Sequence, residues 1–246
     1  MMKKICIIAV LAAVALYFGI ATAGKGSVRS LESVSDKTVS RIKATVILDA
    51  GHGGEDSGAV SDDGTFEKDL NLYVSEDIAA YFELFGISYI PVRTSDISVC
   101  DMGLQTVRER KRSDINNRYA LINSTPDAVL LSIHQNMFSD AKYSGAQVFY
   151  AADIPTSKAL AEQIQSTVCG MLQPENTRKI KPCGDSVYLL YRAKTTSVMV
   201  ECGFLSNEKE LSMLKTPEYR SQIGYCIYKG LLSYLITEGT GNGAKS

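Results

Sequence analysis

Short apolar runs rich in β-formers alternate along this chain with stretches whose apolar residues recur every three or four positions. No other feature restricts the fold as strongly. The runs at 46–48, 87–92, 128–133, 146–150, 187–191 and 198–200 have strand length. Between them lie helical periods. Leu70, Val74, Ile78, Phe82 and Phe85 follow Glu67 and are halted by Gly86; Leu160, Ile164, Val168 and Met171 lie within 157–172; Ile223, Ile227, Leu231 and Tyr234 lie within 217–236. Two further helices are expected, over 114–123 with Ser113 as N-cap and over 206–214 with Ser206 as cap. Parallel strands need a long crossover, usually a helix. The chain therefore reads as a single α/β domain, with a mainly parallel twisted sheet of about six strands flanked by helices.

Unusual residues stand where three of these strands end. The run 46–48 leads through Asp49 and Ala50 into Gly51-His52-Gly53-Gly54, and glycines on both sides of a histidine allow uncommon backbone angles and close approach of another group. The second of the chain's two histidines, His134, follows the run 128–133. Glu201 follows 198–200. In a parallel sheet these ends share one edge, where open α/β sheets bind ligands, so His52, His134 and Glu201 can converge.

A catalytic zinc site commonly takes three protein ligands and keeps one position open. His52 and His134 supply imidazoles, and the carboxylate candidates are Asp49, Glu55, Asp56, Glu67 and Glu201. Glu67 opens a helix just after the glycine loop; its plainer role there would be to complement the helix dipole. Glu201 leaves a buried strand, where a carboxylate is costly unless it faces a site or is satisfied by partners. A zinc hydrolase needs one carboxylate to hold the metal and often a second to move protons, a division that Glu67 and Glu201 fit.

A net charge of -1 argues against a nucleic-acid binder, which is usually basic. The charged run Arg108, Glu109, Arg110, Lys111 and Arg112 reads as a solvated face rather than a surface for an acidic substrate. Cys100, Cys169, Cys183, Cys202 and Cys226 are too widely spaced for a disulfide framework and read mainly as small buried apolar residues, with room for one bridge. Lys3 and Lys4 precede an uncharged apolar run over 5–23 that ends Ala21-Thr22-Ala23, the pattern of a signal peptide or a membrane anchor. A polar linker at 24–43, a folded domain at 44–238 and a disordered tail at 239–246 complete the expected organisation. The domain is thus expected to be exported, acting outside the cytoplasmic membrane.

Several motifs, in order, carry a family resemblance. They are Leu-Asp-Ala-Gly-His-Gly-Gly-x-Asp-x-Gly-Ala at 48–59, Glu67 in Glu-Lys-Asp-Leu-Asn-Leu, Arg93 in Arg-Thr-Ser-Asp, and Arg118 with Asn123. Ser-Ile-His-Gln-Asn at 132–136 and Val-Glu-Cys-Gly-Phe-Leu-Ser-Asn at 200–207 complete them. Together they resemble the zinc-dependent N-acetylmuramoyl-L-alanine amidases of type 3, across residues 44–236. The resemblance implies His52, Glu67 and His134 as zinc ligands and Glu201 as catalytic acid and base. It implies hydrolysis of the peptidoglycan amide that joins the lactyl group of N-acetylmuramic acid to L-alanine of the stem peptide. Gln135 stands where the family commonly has alanine, and Cys202 where a small or apolar residue is frequent; neither departure removes a catalytic group.

The short chain, with an export segment and no recognisable wall-binding repeats, is similar to the sporulation- and germination-specific branch. That branch helps form muramic-δ-lactam in spore cortex, which points to the forespore intermembrane space. The resemblance leaves room for an activating protein partner, and for membrane attachment through a retained N-terminal segment. Two rival functions remain: a zinc carboxypeptidase cutting within the stem peptide, and a non-catalytic peptidoglycan-binding module. The latter would lack a ligand or the glutamate, and none is missing.

Overall fold

The structure, a computed structural model, describes residues 42–241. The expected export segment, almost all of the linker and residues 242–246 of the expected tail lie outside the described residues. Strands β1 (Thr45–Ala50), β2 (Tyr89–Pro91), β3 (Ala128–Asn136), β4 (Gln147–Tyr150), β5 (Lys181–Pro182) and β6 (Thr196–Phe204) form one sheet, in the order β2-β1-β3-β6-β4-β5. The pairs β1–β2, β1–β3 and β3–β6 are parallel. β4 runs antiparallel to β6, and β5 is parallel to β4. The sheet is thus mainly parallel, as the sequence predicts.

Helices α1 (Glu67–Phe85), α2 (Val107–Ser124), α3 (Pro155–Met171), α4 (Tyr188–Tyr191), α5 (Glu208–Leu214) and α6 (Pro217–Gly241) complete the described elements. Strand side chains alternate between the two faces of the sheet. Val46, Leu48, Val129, Leu131, Ile133, Val148, Val198 and Val200 point to the face that packs against Val74, Ile78 and Phe82 of α1, Ile164 of α3 and Ile227 of α6. Ile47, Leu130 and Met199 point the other way, to a much smaller cluster with Ile122 of α2 and Leu190 of α4. By the same alternation Asp49, Ser132, His134, Gln147 and Glu201 belong to this thinly covered face. The large core fixes the sheet, and the other face is free to carry polar chemistry.

α1 matches its expected span and ends at Gly86, which caps it in a left-handed conformation (φ 69°). Other elements differ from expectation. α2 begins at Val107, because Thr106 and Glu109 form a capping box: Thr106 Oγ1 accepts from the Glu109 amide at 3.2 Å, and Glu109 Oε2 accepts from the Thr106 amide at 2.9 Å. Ser113 is therefore not a cap; it is buried within α2 and donates to Asp101 at 2.8 Å. The run 187–191 is not a strand but contains the single helical turn α4; a short apolar run carries too little period to separate the two states. The fifth strand is instead Lys181–Pro182, inside a stretch that reads as a polar loop.

β2 is only Tyr89–Pro91 and lies at the sheet edge, where a proline lacking its N–H is tolerated. Asn207 rather than Ser206 caps α5, accepting from the Glu210 amide at 3.1 Å. α6 continues beyond 236 to Gly241, and β3 and β6 run past His134 and Glu201. Cys100, Cys169, Cys183, Cys202 and Cys226 are all free, the last three of them buried. Among the described residues no helix is long and apolar enough to cross a membrane.

Candidate active site

β1, β3 and β6 are consecutive in the sheet or joined through β3, so their carboxyl ends lie side by side. The Gly51–Gly54 loop turns sharply after β1 and holds His52 at φ 62°, an uncommon angle for a residue with a side chain. Such a conformation persists only where its surroundings fix it. Two buried arginines do so. Arg93 donates to the carbonyls of Ala50 at 2.9 Å and Gly51 at 3.1 Å; Arg118 donates to those of Ala50 at 3.1 Å and His52 at 2.8 Å. Arg118 also pairs with Asp49, whose other oxygen accepts from Ser132 at 2.6 Å. Burial opposes ionisation of Asp49, but Arg118 and Ser132 outweigh it and hold its pKa below the ordinary value. Asp49 is thus committed to the arginine and not to the site.

Glu67, first residue of α1, reaches back to both histidines. Its Oε1 lies 2.9 Å from His134 Nδ1 and its Oε2 lies 3.3 Å from His52 Nε2. The two imidazoles meet edge to face with centroids 5.0 Å apart. One ligand atom from each of His52, Glu67 and His134 falls within 4.8 Å of the others. Backbone amides of Ala59 (2.9 Å) and Gln135 (3.2 Å) donate to the Glu67 carboxylate, as does Asn71 Nδ2 (3.2 Å). Burial would raise the Glu67 pKa, but the two histidines hold it well below the usual carboxylate range. For His52, burial lowers the pKa, but hydrogen bonds with Asp56 and Glu67 raise it to about 9.

Two glycines keep this space open. A Cβ on Gly51 would stand 2.2 Å from His134 Nε2, and one on Gly58, itself at φ 64°, would stand 2.5 Å from Glu67 Oε2. The donor set is two nitrogens and one oxygen from three elements, with its carboxylate ionised and His52 fixed by Asp56 at 2.9 Å. Both properties suit a divalent metal.

Glu201 is the register partner of His134 on β3 and of Gln147 on β4. The residue is half-buried, yet its Oε2 is wholly buried without a hydrogen-bond partner. Burial pushes its pKa up to about 7, against the opposing pull of His134. A carboxyl poised near neutrality can both take and give a proton. Beside the two histidines a cavity of about 250 Å³ is lined by Asp49, His52, His134, Tyr188, Leu189 and Met199.

The structure therefore brings together His52, Glu67, His134 and Glu201 and sets the other carboxylate candidates apart. Glu55 pairs with Arg110 at 2.6 Å; Asp56 holds His52 and also pairs with Lys111 at 2.8 Å. Part of the charge run in α2 is thus a latch over the glycine loop, not only a solvated face. Asn71 and Gln147 were not singled out from sequence. Asn71 lies one helical turn beyond Glu67, a spacing that places both on one side of a helix, and that signal was available. Gln147 is recognisable only once β4 is known to pair with β6.

An α/β sheet whose edge carries two histidines and a carboxylate, beside a glutamate with one buried and unpaired oxygen, has the arrangement of a metal-dependent hydrolase. The chain belongs to the N-acetylmuramoyl-L-alanine amidase family, whose model matches residues 46–233. The germination-specific N-acetylmuramoyl-L-alanine amidase of Bacillus subtilis (strain 168) is 34% identical over 194 residues, covering 79% of this chain and 81% of the relative. The CwlD amidase from Clostridioides difficile, solved in complex with the GerS lipoprotein, is 39% identical with a TM-score of 0.75, covering 78% of this chain and 98% of that one. An N-acetylmuramoyl-L-alanine amidase from Clostridium difficile 630 is 27% identical with a TM-score of 0.68, covering 83% of this chain and all 100% of that one.

Proposed function

We propose that this chain is a zinc-dependent amidase that hydrolyses the bond between N-acetylmuramic acid and L-alanine of peptidoglycan stem peptides. The observation that carries this reading is the placement of Glu201, half-buried with one buried and unpartnered oxygen, in register with His134 of the His52, Glu67 and His134 group. Family membership supplies the substrate class.

His52, Glu67 and His134 would hold the zinc. When bound, the ion supplies Lewis-acid polarisation of the amide carbonyl and acidification of water. Glu201 takes a proton from the attacking water as its oxygen bonds to the carbonyl carbon. As the carbon–nitrogen bond breaks, Glu201 returns that proton to the departing nitrogen, giving an acid on the lactyl group and a free amine on L-alanine. Asp56 fixes the ring of His52, and Arg93 with Arg118 holds the backbone that carries it.

Likeness to the germination-specific enzyme of Bacillus subtilis supports a role in germination, in keeping with the muramic-δ-lactam formation in spore cortex that the family resemblance implies. The complex of the CwlD relative with a lipoprotein supports a protein partner of that class for this chain too. Residues 1–23 act as signal peptide or membrane anchor, and 24–43 as linker, placing the domain at the cell wall or in the forespore intermembrane space. The test is metal content: His52→Ala and His134→Ala should each lose zinc and activity, and a chelator should inactivate the parent protein until zinc is restored. Stoichiometric zinc and normal turnover in either variant would contradict the ligand assignment.

A further inference from the structure

On the same thinly covered face, beyond Glu201 toward β4 and β5, lies a second cleft of about 560 Å³. Arg178, Lys179 and Lys181 line it together with Phe138, Tyr143 and Phe204, and no acidic residue does. Among the described residues none of these three cations makes a direct ion pair, whereas Lys68, Arg110, Lys111 and Lys215 all do. Arg178 is close enough to Glu201 and Glu210 to favour their ionisation, but no carboxylate lines the cleft itself, and like charge gathered in one concavity favours an anionic ligand.

The cations are held in place. Gln147 accepts from Arg178 Nη2 through its Oε1 and donates to the Lys179 carbonyl at 2.6 Å through its Nε2. Asn176 accepts from the Arg178 amide at 3.0 Å and donates to the Ala146 carbonyl at 2.8 Å, tying this segment to the strand beside it. The Arg178 guanidinium lies 4.8 Å from the Phe204 ring centroid, and its buried Nε has no acceptor. Lys181 sits on β5, paired with Phe149 of β4. Gln147, which organises this segment, is also the register partner of Glu201.

We propose that this cleft is the subsite for the departing peptide, with Arg178, Lys179 and Lys181 receiving its carboxylate groups. The inference rests on the amidase reading above. The two halves of that substrate differ in charge: the sugar side offers hydroxyls and amides, whereas the peptide carries carboxylates, its own C-terminus at least. The departing nitrogen must also lie beside its proton donor, Glu201, and the cationic cleft opens from that residue's strand partner. Charge therefore orients the substrate, with peptide toward β4 and β5 and sugar toward the cavity near His52 and Tyr188. Lys179 and Lys181 are specificity-determining groups in this arrangement, and Gln147 is a positioning residue.

The test compares a muropeptide bearing free peptide carboxylates with the same compound converted to carboxamides, measuring KM and kcat for each with zinc-replete protein. For the parent protein KM should rise about tenfold or more on amidation, the scale of one lost charge-assisted contact, with kcat changing far less. A Lys179→Glu/Lys181→Glu double variant, altering two exposed side chains, should invert the preference toward the carboxamide. Equal KM for both compounds in the parent, or an unchanged ratio in the double variant, would overturn the subsite and leave the cleft to a protein partner. Cleavage of neither compound by the zinc-replete parent would remove the amidase reading itself, and the subsite with it.

Discussion

Glu67 and Glu201 are two carboxyl groups near His134, and their surroundings give them opposite charge preferences. Glu67 is ringed by donors and two imidazoles that favour its charge; Glu201 has a buried oxygen with no donor, which disfavours its charge. Glu67→Ala should therefore lose zinc together with activity. Glu201→Gln should retain zinc and fold while turnover falls about 10²–10⁴-fold, the usual loss on removing a general base. Zinc content, circular dichroism and turnover on both variants check this, and exchange of the two metal phenotypes would exchange the roles. Both residues are legible in sequence because Glu67 opens a helix just after the glycine loop and Glu201 directly follows the apolar run 198–200. The arginines are legible only through family resemblance. Their targets are the carbonyls of residues 50–52, and backbone atoms leave no mark in the pattern of side chains.

Among the elements, the long ones follow from apolar period, and the short ones near the site do not. α1, α3 and α6 each bury one continuous stripe in the main core, so the sequence shows them plainly. α4 and β5 have four and two residues, and they take their shape from contacts with α2 and β4. The early start of α2 was readable from Thr106 and Glu109 but is hidden by the polarity of the run that follows.

α1 also carries an acid whose ionisation burial opposes. Burial, with a smaller contribution from Glu76, raises the pKa of Asp77 from 3.8 to about 6, despite the attraction of Arg220. Its Cβ stands 3.3 Å from where a side chain on Gly224 of α6 would begin. A carboxyl whose folded pKa exceeds its unfolded one binds protons more readily in the fold. Its relative contribution is intact below the unfolded value and declines as pH rises through about 6. Asp77→Asn should therefore stabilise the protein at pH 7 by about 1–2 kcal/mol, after allowing for partial solvent screening. The gain should vanish near pH 4, as measured by urea unfolding at both values. An equal effect at the two pH values would contradict the assignment.

For the whole molecule, one sheet face is spent on stability and the other on chemistry. Strand alternation makes this division visible in the structure: Val46, Leu48 and Val200 face the large core, while His134 and Glu201 face the site. The sequence conveys the α/β class because strand and helix periods alternate, but not the antiparallel direction of β4, which pairing alone decides. An amidase of the wall must also be outside the membrane. Fractionation of a tagged protein should recover it beyond the cytoplasm through residues 5–23, and full-length chain found mainly in the cytosol would contradict export. The most direct test of the central claim is mass spectrometry of purified peptidoglycan digested with the zinc-loaded protein. Whole stem peptides with a new L-alanine amine, and glycan strands with free lactyl acids, are the predicted products; release of single amino acids from within the stem, with the lactyl amide intact, would contradict it.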